Sequence, residues 1–488
     1  MLIDLDLASK NKNIKSYDVC VCGSGPAGIT VARTLAASGK RVAIFEGGGL
    51  EYTEQSQDSY KGVCHSSPGL EYWDAVMSCR LRYFGGTSNH WAGMCRFFEE
   101  EDMARVMNGL PAWPISRSEV FKYFDGAKEI LDLPQDAFSE KNKWGGTNFV
   151  SYLPSFSPPT RFKSKYYQEL KDSKLIDVYI NANLTDIQLD GNFDHVKYLE
   201  ISNNKLTKFK FSGTRYVLAM GSIENARMLL AFNSQIPAGI GNDHDMVGRC
   251  FMEHLNVSYG KFVTENKKVW SDNNNLISIR PSESFVKKAN IGSGVITFGA
   301  NAEIVDYGRT AKLKKALRTM VCSSETATDL ARKLKDFDCD GDGLITSMME
   351  QSPNMDSRIT LGTDKDRFGL PRVILDWKYT EFDLRTIRTL GVEAAKEMAK
   401  LGVARVQLSE PILNKDMEMQ RIGGHCHRMG TTRMSSDPKF GVVDENSKVH
   451  GMQNLYIAGS SVYPTSGFCN PTFTLVMLAL RLGNHLSA

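Results

Sequence analysis

Apolar positions near the start of the chain fall into blocks of different period. Residues 17–22, YDVCVC, are a short apolar, β-branched run and predict a buried parallel strand. The stretch AGITVARTLAAS that follows at 27–38 has helical spacing, and Gly39 stops it. RVAIFE, residues 41–46, then predicts a second strand. Residues 214–230, TRYVLAMGSIENARMLL, repeat the strand–turn–helix order around Gly221. At 344–362, LITSMMEQSPNMDSRITLG, a β-branched run with alternating polarity is broken at Pro353 and predicts two strands. The last segment, NPTFTLVMLALRLGNHL (470–486), predicts a helix whose apolar stripe, with Met477, belongs in a core.

Between the first strand and its helix, Gly23, Gly25 and Gly28 are spaced G-x-G-x-x-G. In that setting the first glycine permits a tight turn, the second lets the backbone approach a pyrophosphate, and the third lets helix and strand pack closely. The helix N-terminus would face the phosphates. Glu46 ends the second strand, 18 residues after Gly28, where a carboxylate accepts hydrogen bonds from ribose hydroxyls and repels a 2′-phosphate. The unit therefore predicts FAD or NAD rather than NADP.

At 488 residues the chain exceeds one compact core, and two domains are expected. A net charge of +3, from 59 basic and 56 acidic residues, gives no reason to expect nucleic acid or an anionic membrane as partner. The start of the chain has no basic-then-apolar leader pattern, and no run of 18 apolar residues predicts a transmembrane segment. None of the ten cysteines forms a C-x-x-C pair, so reduced, mostly buried thiols in a cytoplasmic protein are expected, and no metal site.

Three further stretches separate FAD from NAD: FGGTSNHWAGMCR (84–96), DMVGRCFMEH (245–254), and a C-terminal block. That block holds H-x-x-G-T-x-R-M from His427 to Met434, then GVVD, VHGMQNLYIAGSSVYPT and NPT. Together they resemble the glucose–methanol–choline (GMC) oxidoreductases, in the branch of sugar and polyol dehydrogenases and pyranose 2-oxidase-like enzymes. The resemblance implies an α/β architecture: a Rossmann-like FAD-binding domain from 1–97, 165–260 and 421–488, and a second α+β substrate-binding domain on a mixed sheet from 98–164 and 261–420. It implies FAD as cofactor and oxidation of a CH–OH group of a sugar, polyol or sugar-bearing metabolite. By the same resemblance His427 is the base and Asn470 the hydroxyl-orienting partner. Gly86, Thr87, Asn89, His90, Leu184, Gly459, Ser460, Pro471 and Thr472 join Gly23, Gly25, Gly28 and Glu46 around the cofactor. His90 aligns with a histidine that in pyranose 2-oxidase-like enzymes carries FAD covalently; other members keep the His-Trp without the bond. Oxygen, a quinone or a carrier protein would reoxidise the flavin, and a homo-oligomer stays open.

Two rival readings stand beside this one. An NAD-linked dehydrogenase would use the same glycine turn. A calcium-binding protein is suggested by DFDCDGDGLITSMMEQ (336–351), in which Asp338, Asp340 and Asp342 are spaced as in an EF-hand. Counted from Asp338, however, position 12 is Met349, and Pro353 prevents an exit helix. The better expectation is an acidic turn entering a strand, with Glu350 on that strand as a substrate-hydroxyl ligand or a salt-bridge partner.

Overall fold

The computed structural model describes residues 1–8, 15–67, 76–139, 146–264, 276–300, 343–414 and 421–488, with scattered positions between these stretches. The predicted strand–helix–strand unit is present as strand Lys15–Cys22, helix Pro26–Ala37 and strand Val42–Phe45. Its strands are almost wholly buried from Val19 onward, as an apolar run without alternation requires. Strand Lys208–Leu218 lies parallel to Lys15–Cys22 on the other side, and Leu455–Ile457 lies parallel to its last three residues. Ile176–Ile180 and Leu2–Asp4 extend the parallel part, while Val196–Ser202 and Asn183–Leu189 add antiparallel strands at the opposite end.

The final helix, Thr472–Ser487, packs against helix Pro26–Ala37. A Cβ on Gly483 would lie 2.6 Å from Thr34, so the contact depends on that glycine. Met477 is buried, as expected of the apolar stripe.

Among the described residues a second sheet has seven strands, in the order Ala404–Leu408, Leu255–Thr264, Gly343–Met349, Gly294–Ala300, Leu276–Pro281 and Phe149–Ser151, with Ile422–Gly424 paired to the start of Leu255–Thr264. Helix Glu381–Lys400, begun by a Thr380–Asp383 capping box, lies on it; Tyr259 Oη donates to Ile387 O at 2.8 Å. The two-part α/β fold is the one expected. Its second sheet differs in one respect: among the described residues its pairings are all antiparallel, and mixed pairing belongs to the nucleotide-type sheet. Side-chain alternation encodes which face is buried and is silent on strand direction.

Of the two strands predicted within 344–362, the first, Gly343–Met349, joins this sheet. The second, Arg358–Lys365, instead pairs with Pro371–Trp377, which runs parallel to Gly62–Ser66, making a separate three-stranded sheet against helix Ser222–Ala231. The acidic turn ahead of Gly343 lies outside the described residues; the strand after it is where an EF-hand would need a helix. No described helix is long and apolar enough to cross a membrane.

Candidate active site

The carboxyl ends of strands Lys15–Cys22, Val42–Phe45, Lys208–Leu218 and Leu455–Ile457 open onto one cavity of about 560 Å³. The three glycines of the first turn divide its requirements between them. Gly23 has φ +108°, and a Cβ there would meet Ala219 O at 2.4 Å. A Cβ on Gly28 would lie 2.0 Å from Gly23 O, so the helix could not approach the turn. A Cβ on Gly25 meets no protein atom and would project into open space at the cavity wall. Pro26 opens the helix, where a missing N–H costs nothing, and no side chain caps that end. Glu46 is buried at the end of its strand. One carboxylate oxygen accepts from Ser24 Oγ (2.6 Å) and Ser24 N (3.2 Å), the other from Gly48 N (2.9 Å).

The opposite wall comes from segments remote in sequence. Gly86, Thr87 and His90 line it from the short helical turn Gly86–Asn89. Asn89 is turned away and donates to Phe84 O at 2.9 Å, closing the turn. His90 is exposed, its Nε2 3.4 Å from Cys79 O. Leu184 borders the cavity, and so do Gly459 and Ser460, with Pro471 and Thr472 at the head of the last helix. Cβ atoms on Gly221 and Gly459 would meet nothing. One buried ionic cluster escaped the sequence reading: Glu224 accepts from Arg80 (3.0 Å) and Arg227 (3.1 Å), and Arg227 also donates to Asp366 (2.8 Å). All four line the cavity, and the arginines hold the Glu224 carboxyl below its usual range against the cost of burial.

At one end of the cavity stand His425, His427 and Asn470. Register explains how they meet. Leu255 pairs with Gly424, and Met252 pairs with Met429. Between these pairings Glu253 and His254 face the four residues 425–428, so the second segment bulges, with Cys426 at φ +64°. Glu253 holds the bulge: its Oε1 accepts from the backbone N–H of His427 (2.5 Å) and of His254 (2.9 Å). The His425 and His427 rings lie nearly parallel, their centroids 6.0 Å apart. His425 Nε2 is tied to Ser347 O at 2.8 Å. His427 Nε2 is 3.2 Å from Asn470 Nδ2, and its Nδ1 is 2.9 Å from His254 Nδ1. His254 Nε2 sits 3.0 Å from Gly467 O and 3.3 Å from Ser466 O. Burial, and then His254, His425 and Arg428, push the His427 imidazole well below its usual pKa; burial brings His254 down to about 3.

Two expectations need correction. Glu350 is not on the cavity wall. It is 2% exposed, ion-paired with Arg105 and accepts from Ser293 N at 2.9 Å, so the salt-bridge alternative describes it. Nor are all the thiols reduced: Cys79 and Cys426 form a disulfide across 347 residues, at the cavity wall beside His427. Cys20, Cys22, Cys95, Cys250 and Cys469 remain buried thiols.

A family model described as GMC oxidoreductase matches residues 353–479. The 2-methyl-1,2-propanediol dehydrogenase of Mycolicibacterium austroafricanum is 30% identical over 96% of this chain and 95% of its own length. The chain belongs to the GMC oxidoreductase family. Paromamine 6'-oxidase of Streptomyces fradiae is 25% identical over 56% of the chain, and the fructose dehydrogenase large subunit of Gluconobacter japonicus 24% over 56%. In each case the matched stretch is 46% of the relative's length. Among solved structures, pyridoxine 4-oxidase from Mesorbium loti superimposes with a TM-score of 0.57 at 16% identity, covering 97% of this chain and 99% of that one, and so shares the fold.

GMC oxidoreductases are FAD-dependent enzymes, and the cavity fits that cofactor. Three glycines, 25, 221 and 459, present bare backbone to the space a ligand would take. Gly23, Gly25 and the end of helix Pro26–Ala37 would hold the pyrophosphate, and Glu46 the ribose. The buried Asn470 Oδ1 has no hydrogen-bond partner among the described residues, as befits a group awaiting a ligand. The Glu253–His254 pair ends the stretch DMVGRCFMEH, and its one mark in the sequence is two ionisable residues closing the apolar run CFM before a strand.

Proposed function

We propose that this GMC oxidoreductase oxidises a CH–OH group of a sugar, polyol or sugar-bearing small molecule to a carbonyl, with His427 as base and Asn470 orienting the hydroxyl. The observation that carries this reading is the 3.2 Å approach of Asn470 Nδ2 to His427 Nε2, made by residues 43 apart in sequence at the wall of the cavity. A hydroxyl placed at that gap donates its proton to Nε2 and accepts from the amide N–H, which also stabilises alkoxide character as it develops. Bound FAD supplies the acceptor for the hydride that leaves carbon. Because burial disfavours the imidazolium, His427 is neutral and ready to accept the proton. The relatives named for paromamine, fructose and 2-methyl-1,2-propanediol support a hydroxyl-bearing small molecule as substrate.

The test is anaerobic flavin reduction against a panel of sugars, aminosugars, glycosides and diols, followed by admission of air. Bleaching by a panel member identifies the substrate class, and the rate of recovery in air separates oxygen from a quinone or carrier protein as acceptor. His427→Ala is expected to retain FAD and lose about 10²–10⁴-fold in the rate of flavin reduction, the usual contribution of a positioned base. Undiminished reduction in that variant would rule out the assignment. His90, exposed at the same wall, is the residue to carry a covalent bond to the flavin; after acid precipitation, colour in the pellet assigns it the bond and colour in the supernatant denies it.

A further inference from the structure

Two imidazole rings, His254 and His427, and the Asn470 amide form a single chain of hydrogen bonds at the end of the cavity, and one end of that chain leaves no freedom of direction. Carbonyl oxygens only accept, so His254 Nε2, lying against Gly467 O at 3.0 Å and Ser466 O at 3.3 Å, must carry a proton. A neutral imidazole carries one proton, and His254 is fully buried, so its Nδ1 is the bare nitrogen. The 2.9 Å contact between His254 Nδ1 and His427 Nδ1 is then a hydrogen bond only if His427 holds its proton on Nδ1. That leaves His427 Nε2 bare, facing the N–H of Asn470 at 3.2 Å.

We infer that His254 is the positioning residue of this active site: anchored by the carbonyls of Ser466 and Gly467, it fixes His427 in the Nδ1–H tautomer and so presents Nε2 as the base. The inference rests on the reading of His427 as base. His254 does for His427 what a carboxylate does for the histidine of a hydrolase triad, but it is neutral, and its proton is held by two backbone carbonyls in place of a second charge. When Nε2 takes the hydroxyl proton, the Nδ1–H of the resulting imidazolium still points at the His254 lone pair. The positive charge is thereby hydrogen-bonded within a buried site. No bond other than O–H to N–H is exchanged in this step, and the proton ends on His427 Nε2.

The other charged and titratable groups around His427 do not supply this function. His425 is committed to Ser347 O. Glu253 accepts from the backbone N–H of His427 and never reaches the ring. Arg428 carries no lone pair and disfavours the imidazolium. His254 is thus the group among those described that accepts from His427 Nδ1.

The experiment is long-range ¹H–¹⁵N correlation on the FAD-loaded protein labelled at imidazole nitrogen, with the His427 signals assigned by their absence in His427→Ala. A proton-bearing Nδ1 and a bare Nε2 on His427 are expected, together with the reverse pattern on His254. The opposite tautomer on either ring overturns the inference; on His254 it does so without touching the base assignment, because Nε2 of His427 is then still free to be the bare nitrogen. Rates supply the second arm. His254→Phe removes the acceptor and is expected to slow anaerobic flavin reduction about 10–100-fold, part of what a positioned base contributes, with substrate KM unchanged. His254→Asn places an amide oxygen where Nδ1 stood and is expected to recover most of that rate. Wild-type rates in His254→Phe, or equal losses in both variants, overturn the positioning role. Undiminished turnover in His427→Ala instead fails the base reading, whatever the spectrum shows.

Discussion

His427 is set apart by its surroundings more than by its chemistry. It lies beside two other histidines and Arg428, and burial above all disfavours its charged form. The sign of the consequence is fixed: the base must be neutral to act, and a lowered pKa keeps it neutral to lower pH. The acid limb of anaerobic flavin reduction is therefore expected well below pH 6.5, the ordinary imidazole value. Stopped-flow reduction across the acid range checks this, and a limb centred at or above that value would contradict it. Single residues were unevenly legible. His427 and Asn470 could be named because H-x-x-G-T and NPT resemble a known pattern, not because any spacing joins residues 43 apart. Glu350 was placed on the correct strand end and offered two partners; alternation along a strand gives a face, and Arg105, 245 residues away, decided the partner. His254 stood out only as one of two ionisable residues ending an apolar run, because its role is made by a bulge in the segment opposite.

At the scale of elements, the strand–turn–helix unit was legible almost to its ends, since period, glycine spacing and Gly39 all agree. The glycines in that turn are not equivalent, and the structure separates them. Gly25→Val leaves the protein atoms undisturbed but fills cofactor space. It should fold with an unchanged circular dichroism spectrum and bind FAD about 10–100-fold more weakly, as overpacking of about 1–3 kcal/mol implies. Gly28→Ala instead drives a Cβ into Gly23 O and should lower thermal stability of the apoprotein as well. Full FAD affinity in Gly25→Val would show that the turn does not face the cofactor. The strands on either side of Pro353 show the limit of local patterning. Both were recognisable as strands, yet Arg358–Lys365 pairs into a sheet with Gly62–Ser66 instead of continuing beside Gly343–Met349. Which edge a strand joins is set by what its buried face meets, here helix Ser222–Ala231.

Over the whole molecule, the cavity is assembled from the two ends and the middle of the chain, and one covalent bond crosses the same gap. The Cys79–Cys426 disulfide joins the segment before Gly86 to the segment carrying His427. Alkylation of the denatured protein should find two more reactive thiols after reduction than before. Reduction should also lower the free energy of unfolding by about 2–4 kcal/mol, measured in denaturant. Unchanged alkylation would mean that the two cysteines are thiols in solution. Irregular cysteine spacing could not disclose this pair, because a disulfide depends on Cα atoms 6.0 Å apart in space and not on separation along the chain. The sequence by itself determined the nucleotide-type unit, the apolar terminal helix and the family. Hydrophobic period, turn chemistry and motif order are local properties and are written locally. Only the tertiary structure decided the partner of Glu350, the disulfide, the buried Arg80–Glu224–Arg227–Asp366 cluster and the alignment of His254 behind His427. Apart from Glu224–Arg227, one turn apart on a helix, these are contacts between distant segments, fixed by strand register and by the requirement that buried polar groups find partners.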